Sequence, residues 1–367
     1  MKMIMRWFPH GDDSVTLEQI RQTPGVCGVA AMLPHVPVGD VWPLEAVEAV
    51  RKEVLAAGLE MEVIESVNVH EDIKKGLPSR DRYIENYCRT VRNLGRAGVR
   101  CLCYNFMPVI DWARSELAHR LPDGSFAMAY RDAEVRALNP AAIAESMEAK
   151  SQGYSLPGWE PERISAMAAD IEFYQGMSRE TYWQNMRYFL DAVIPVAEES
   201  GIVMGIHPDD PPWELYGLPK VITSLESIRT FLALHDSPAN GVSLCTGSLG
   251  ANLDNDMPSI AAELARAGRL PFVHLRNVKH HTPRDFDESA HLSACGDFDM
   301  FAIVKALYDN GFDGYIRPDH GRMIWGEQAR PGYGLYDRAL GANYLLGLWE
   351  AIDKMSAIPA SAQRREC

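Results

Sequence analysis

Apolar residues along the chain gather into short runs rich in β-branched side chains, and each run is followed by the 3.6-residue spacing of an amphipathic helix. Eight runs stand out: "MIMRWF" (3–8), "GVCGVAAML" (25–33), "EMEVIES" (60–66), "VRCLCYNF" (99–106), "GIVMGIH" (201–207), "GVSLCTG" (241–247), "PFVHLRN" (271–277) and "GYIRPDH" (314–320). The stretches between them carry helix start and stop signals. Ser14 precedes "VTLEQIRQ", "SRDRYIENYCRTVRNLGRAG" closes on glycine, and "TSLESIRTFLALH" opens on Thr223 as N-cap with Glu226 three positions on. A last helix is expected over about 335–355. Strand and helix alternating eight times is what a closed parallel (β/α)8 TIM barrel of the α/β class requires; a doubly wound sheet usually stops at about five to seven strands.

One interval departs from the alternation. Between the fourth strand and its helix near 179–200, the segment of about 107–178 mixes helical pieces with scattered Pro and Gly. It is expected to be a strandless insertion over the barrel mouth, serving as a lid or an oligomer contact. With no linker and no repeat beyond the βα unit, residues 1–355 are expected to form one barrel domain, and "SAIPASAQRREC" (356–367) a disordered tail.

Chemistry on such a barrel sits at the C-terminal ends of the strands, and every second strand residue points inward. Val203, Gly205 and His207 share a parity that brings His207 to the rim; Cys245 ends the sixth strand, His274 lies near the end of the seventh, and Asp319 ends the eighth. Taken singly, each has an ordinary explanation. A buried cysteine is most often a small hydrophobe, a strand-end histidine most often hydrogen-bonded structure, and Asp319 could cap a helix or pair with Arg322. Four metal-competent side chains at one depth on consecutive strands favour a metal site instead. Two imidazoles, a thiolate and a carboxylate suit Zn, Fe, Co, Ni or Mn; the thiolate tilts raw affinity away from Mn, and Mg and Ca prefer all-oxygen shells.

Composition narrows the partners. The 367-residue chain is 47% hydrophobic and 23% charged, ample for a core, and its net charge of -14 without a basic block argues against nucleic acid or an anionic membrane. The opening "MKMIMRWFPHGDD" has too short an apolar run for a signal peptide, and no stretch approaches a membrane span. Seven unevenly spaced cysteines with no CxxC pair suggest reduced thiols in a cytoplasm.

The segments "IESVNVHEDIK", "CYNFMPVIDW", "GIHPDDPP", "LCTGSLGANLDND", "FVHLRNVK" and "RPDHGRMIWGE", followed by "GYGLYDRALG", together resemble the mannonate dehydratase family, in order, from "RWF" at 6–8 to the last helix. The resemblance implies the (β/α)8 fold and a divalent metal, usually Mn(II), with Co, Ni, Fe and Zn left open. It implies loss of water from the sugar acid D-mannonate to give 2-dehydro-3-deoxy-D-gluconate, a step of hexuronate breakdown. It carries His207, Cys245, His274 and Asp319 over as metal ligands and His320 and Tyr333 as the proton-transfer pair, and it suggests a homodimer or higher homo-oligomer.

Those residue types suit the reaction. The C2 proton of an aldonate lies next to a carboxylate, so its removal builds a dianion that water stabilises poorly and that a divalent cation would neutralise. A base must take the C2 proton and an acid must protonate the leaving C3 hydroxyl. An imidazole, which titrates near neutrality, suits one task and the phenol of "PGYGLY" the other; the sequence does not say which does which.

Asn105 shares parity with Cys101 and Cys103, and Arg276 with His274, so both are candidate substrate contacts, Arg276 for the carboxylate or else for a surface ion pair. His70 reads as a substrate contact or a helix cap. "KHHTPRDFDESAH" reads as a flexible polar loop, either closing over substrate or merely solvated. The alternative function is a divalent-metal sugar isomerase or epimerase on the same barrel, though such sites lean on several carboxylates and the four rim candidates include one. A metal-dependent hydrolase wants an HxH pair where "WFPHGDD" has a single histidine, and a non-catalytic sugar-acid sensor would have no need of His320 and Tyr333.

Overall fold

Side-chain alternation on the strands separates two apolar layers. A computed structural model describes residues 1–151, 153–154, 156, 159 and 161–357. Its strands are β1 (Lys2–Arg6), β2 (Val26–Ala31), β3 (Glu60–Glu65), β4 (Cys101–Tyr104), β5 (Glu116–Arg120), β6 (Phe126–Tyr130), β7 (Val203–Ile206), β8 (Asn240–Cys245), β9 (Phe272–Leu275), β10 (Asn277–Thr282), β11 (Asp285–Ser289) and β12 (Tyr315–Pro318). Eight of them close a parallel barrel in the order β1-β12-β9-β8-β7-β4-β3-β2, and each falls on one of the eight apolar runs, β1 and β8 starting one residue earlier. The fold is the expected TIM barrel.

Outward positions such as Met5, Ile64, Leu102, Ile206, Leu244, Val273 and Ile316 pack under the helices in the main core. Inward positions at the bottom of the barrel, Ile4, Ala30, Val63, Cys101, Cys103 and Phe272, form a second cluster of their own. Fully burying one such aliphatic or aromatic side chain stabilises by about 1.5–3 kcal/mol. Two residues further along four of the strands the inward positions turn polar: Arg6 follows Ile4, Glu65 follows Val63, His274 follows Phe272, and Arg317 then Asp319 follow Tyr315. An apolar plug below and ionisable groups above fix the chemistry at the C-terminal mouth.

The insertion is not strandless. β5 and β6 pair as a hairpin, β6 pairs with β11, and β11 with β10, giving a four-stranded antiparallel sheet in the order β10-β11-β6-β5. In "FAMAY" Phe126 and Tyr130 favour a strand but the Ala-Met-Ala between them does not, so pairing across the sheet settles it as one. The local signal was the turn "PDGS": Gly124 sits at φ +86°, and Asp123 accepts from the Ser125 amide at 3.0 Å. For the same reason "KHHTPRDFDESAH" is an ordered hairpin and not a flexible loop.

Two caps shift from their expected positions. Thr16, not Ser14, caps the helix Leu17–Gln22, in a reciprocal box with Gln19. Ser224, not Thr223, caps Leu225–Leu234, because Ser227 lies at the right reach to return the hydrogen bond. His70 caps Glu71–Lys75, accepting from the Asp72 amide at 3.1 Å. The last helix runs Tyr336–Ser356, so the expected tail begins inside it, and residues 358–367 lie outside the described residues.

Candidate active site and metal centre

Strand register sets three rim side chains abreast. Cys245 pairs with His274 across β8 and β9, and His274 pairs with Arg317 across β9 and β12. His207 follows β7 directly. Donor atoms of His207, Cys245 and His274 all lie within 4.8 Å of one another. Asp319 stands beside them, its Oδ2 accepting from the Cys245 thiol at 3.4 Å.

Burial pushes the His207 imidazole below its usual range and the His274 imidazole well below, the latter helped by Arg317, so both rings are neutral. His207 Nδ1 lies 2.7 Å from the Pro208 carbonyl, a contact that needs a proton on Nδ1 and leaves Nε2 as the donor. His274 Nδ1 is 3.3 Å from Arg317 Nη2, while its buried Nε2 has no hydrogen-bond partner and lies 3.5 Å from Glu65. The Cys245 thiol is pushed up to about 12, by burial first and then by Asp319 and Asp210, against the pull of Arg276. Burial would raise the Asp319 carboxyl, but Arg317, 2.7 Å away, with His320 and Arg276, outweighs it and holds the group well below the usual carboxylate range.

Two neutral imidazoles, a displaceable thiol proton, a carboxylate and an orphaned buried nitrogen fit a divalent transition metal. A second group, Glu65, Cys103 and His274, also lies within 4.8 Å. Glu65 is clamped by Arg317 at 2.9 and 3.1 Å, so a cation there would have to displace a guanidinium. The first group is the better centre.

His320 and Tyr333 meet edge to face over the rim, ring centroids 5.1 Å apart. Burial pushes the Tyr333 hydroxyl up to about 12, with Arg317 and Arg6 pulling down and Asp319 and Glu65 pushing up. Its loop is held by Arg338, which donates to the carbonyls of Tyr333 (2.6 Å), Gly334 (2.7 Å) and Arg6 (2.8 Å). Gly332, at φ +79°, leaves room for the His320 ring, which a side chain there would crowd.

Beneath these groups lies a buried lattice of arginines and acids. Arg276 donates to Asp210 (2.8 Å), Ser248 (3.1 Å) and Glu288 (3.0 Å), contacts His320 Nδ1 at 2.8 Å, and sets Nε 3.4 Å from Asp319. It approaches so closely over Gly247 that any Cβ there would collide with the guanidinium, which accounts for the glycine in "CTG". Asn105 lines the cavity, its amide donating to Asp111 at 3.0 Å and accepting from the Met107 amide at 3.1 Å.

Arg114, in the insertion, donates to Asp210 at 2.8 and 3.0 Å and to Glu288 at 2.8 and 3.1 Å. Glu65, Arg114, Asp210 and Glu288 were not singled out from sequence. Glu65 carried the one usable signal, an acid at the inward parity of an otherwise apolar strand end. Arg114→Met strands two buried carboxylates short of a partner, and the expected cost is about 3–5 kcal/mol of stability. Denaturant titration checks this against Lys305→Ala, which removes an exposed pair with Asp309 and is expected to change little.

These groups surround a cavity of about 100 Å³ lined by Glu65, Asn105, His207, Asp319, His320 and Tyr333 among others. A larger one, about 990 Å³, lies between the loops after β2 and β3 and the residues Ser151, Tyr154, Leu156, Trp159 and Ile164, sharing Ser66 and Leu156 with the first. The ionisable groups converge on the smaller cavity.

The chain matches the family described as D-mannonate dehydratase (UxuA) over residues 1–359. The mannonate dehydratase of Geobacillus thermodenitrificans (strain NG80-2) is 54% identical over 353 residues, 96% of this chain and 95% of that protein. The crystal structure of mannonate dehydratase from Streptococcus suis serotype 2 is 45% identical, with a TM-score of 0.87 covering 97% of this chain and 94% of that one. A xylose isomerase domain protein from Planctomyces limnophilus, with a TM-score of 0.56 and 13% identity over 96% of this chain and 98% of its own, shares the fold alone. With a match along almost the whole sequence and a relative at 54% identity, the chain belongs to the D-mannonate dehydratase family of hydro-lyases.

Proposed function

We propose that the enzyme removes water from D-mannonate to give 2-dehydro-3-deoxy-D-gluconate, using Mn(II), in hexuronate breakdown. One observation carries the reading: a histidine and a tyrosine, rings 5.1 Å apart, line the same cavity as His207 and Asp319, against which Cys245 and His274 are packed. Those four side chains would hold the metal, which when bound supplies Lewis-acid stabilisation of charge developing at the substrate carboxylate. His320 takes the C2 proton. Tyr333, its hydroxyl pushed up to about 12, keeps its proton at neutral pH and gives it to the departing C3 hydroxyl. The C3–O bond breaks, water leaves, and the resulting enol gains a solvent proton at C3 as it becomes the 2-keto acid. Arg276 is the cation placed to draw the substrate carboxylate in, and Asn105 lines the same wall.

Free cysteines at 27, 88, 101, 103, 245 and 295 accord with a cytoplasmic setting, and among the described residues no helix is long and apolar enough to cross a membrane. Family membership supports a homodimer or higher homo-oligomer, for which exposed Trp325, against Tyr336, offers contact surface.

Turnover in D2O tests the chemistry. The expected product is a keto-deoxy acid, one water lighter than substrate, with solvent deuterium at C3. Deuterated aldonate at full mass, with no keto-deoxy acid, would overturn dehydration in favour of a sugar isomerase or epimerase.

A further inference from the structure

We propose that Glu288 is a positioning residue that selects the base-competent tautomer of His320. The inference rests on His320 being the proton-transfer residue, as read above. Side chains alternate along β11: Asp287 turns outward to Arg131 (2.6 Å) and His281 (2.7 Å), while Glu288 turns inward and is 4% exposed. Its two oxygens are unequally loaded. Oε1 accepts from Arg114 at 2.8 and 3.1 Å and from Arg276 at 3.0 Å, which fixes the carboxylate. Oε2, which meets neither arginine, lies 2.9 Å from His320 Nδ1, and Oε1 lies 3.0 Å from the same nitrogen, so the whole carboxylate faces it.

Arg276 Nη1 reaches the same Nδ1 at 2.8 Å, so two groups of opposite hydrogen-bonding sense compete for one ring nitrogen. A guanidinium can only donate, and it would place the imidazole proton on Nε2. A carboxylate can only accept, so it places the proton on Nδ1 and leaves the Nε2 lone pair toward Asp319 (3.9 Å) and the cavity. Only the second tautomer can take a proton from substrate through Nε2. The barrel strands contribute no carboxylate facing Nδ1. β11 contributes it, held in place by β6 of the insertion.

Glu288→Gln is a sharp test, because Arg114 and Arg276 retain the amide oxygen and so turn the amide NH2 toward Nδ1. That substitution favours the wrong tautomer at constant volume. The expected result is a fall in kcat of roughly 10²-fold with KM within about threefold and metal content unchanged, the scale of a lost acid–base contribution. In a His320→Asn background the same change is expected to cost less than about twofold, since its target is gone. Glu288→Asp, which keeps the charge but withdraws the oxygen from Nδ1, is expected to lower kcat in the same way and serves should Glu288→Gln fail to fold. Parent-like kcat in either variant overturns the proposal. An undiminished cost of Glu288→Gln in the His320→Asn background also overturns it, while leaving dehydration itself intact. Full activity of His320→Asn alone would instead remove the reading on which it rests.

Discussion

Stripping the enzyme of divalent metal with a strong chelator abolishes turnover of D-mannonate, and adding Mn(II) back restores it: this is the first expected result. The donor set at the mouth is poorly satisfied by the protein alone. His274 Nε2 is buried without a hydrogen-bond partner, and the Cys245 thiol, fully buried, offers a weak contact to Asp319 at 3.4 Å. Burial keeps that thiol protonated, its pKa pushed up to about 12, so a metal must displace the proton to gain a thiolate ligand. A serine hydroxyl does not ionise on those terms. Cys245→Ser is therefore expected to lose metal during purification and dialysis, with activity falling in step. Elemental analysis beside a turnover assay measures both. Full turnover by verified metal-free protein would overturn the metal reading, and parent-like metal content in Cys245→Ser would take Cys245 off the ligand set.

The barrel and its rim were legible because both follow from local alternation. Inward parity along "PFVHLRN" brings His274 and Arg276 to the mouth, and parity along "GYIRPDH" brings Asp319 there above Arg317, which is how their side chains lie. Parity says nothing about partners supplied by distant segments. Arg114 and Glu288 are 174 residues apart, and neither stands on a barrel strand. Each looks like an ordinary surface charge in its own context, and only the closure of the β10-β11-β6-β5 sheet over the mouth turns them into a buried pair. The missed strands share that cause. "FAMAY" and "DFDES" each pair in a hairpin and also with each other, and no local window contains that last interaction. Cap positions slipped by one or two residues because Ser and Thr neighbours compete, and only the reciprocal bond settles which of them caps.

Asp319 and His320, adjacent in sequence, are expected to fail in different ways. Asp319 continues the inward parity of β12, and Arg317 one layer below fixes its carboxylate at 2.7 Å with Cys245 at 3.4 Å on the other side. Asp319→Asn removes a charged ligand and leaves Arg317 facing an amide, so metal content and turnover are expected to drop together. His320 has the opposite parity and enters the cavity only because the strand ends at Pro318 and the chain turns toward Gly321, whose amide bonds to the Gly332 carbonyl at 2.8 Å. Its ring therefore lines the cavity beside Tyr333, outside the His207, Cys245 and His274 group. His320→Asn is expected to keep both metal and fold while turnover falls by roughly 10²-fold or more, and Tyr333→Phe to behave alike. If His320→Asn shed its metal while Asp319→Asn kept it, ligand and proton carrier would be interchanged. If His320→Asn turned over D-mannonate at the parent rate, Glu288 and Arg276 would be holding a ring that merely packs the exit of β12, and the base would have to be sought elsewhere on the cavity wall.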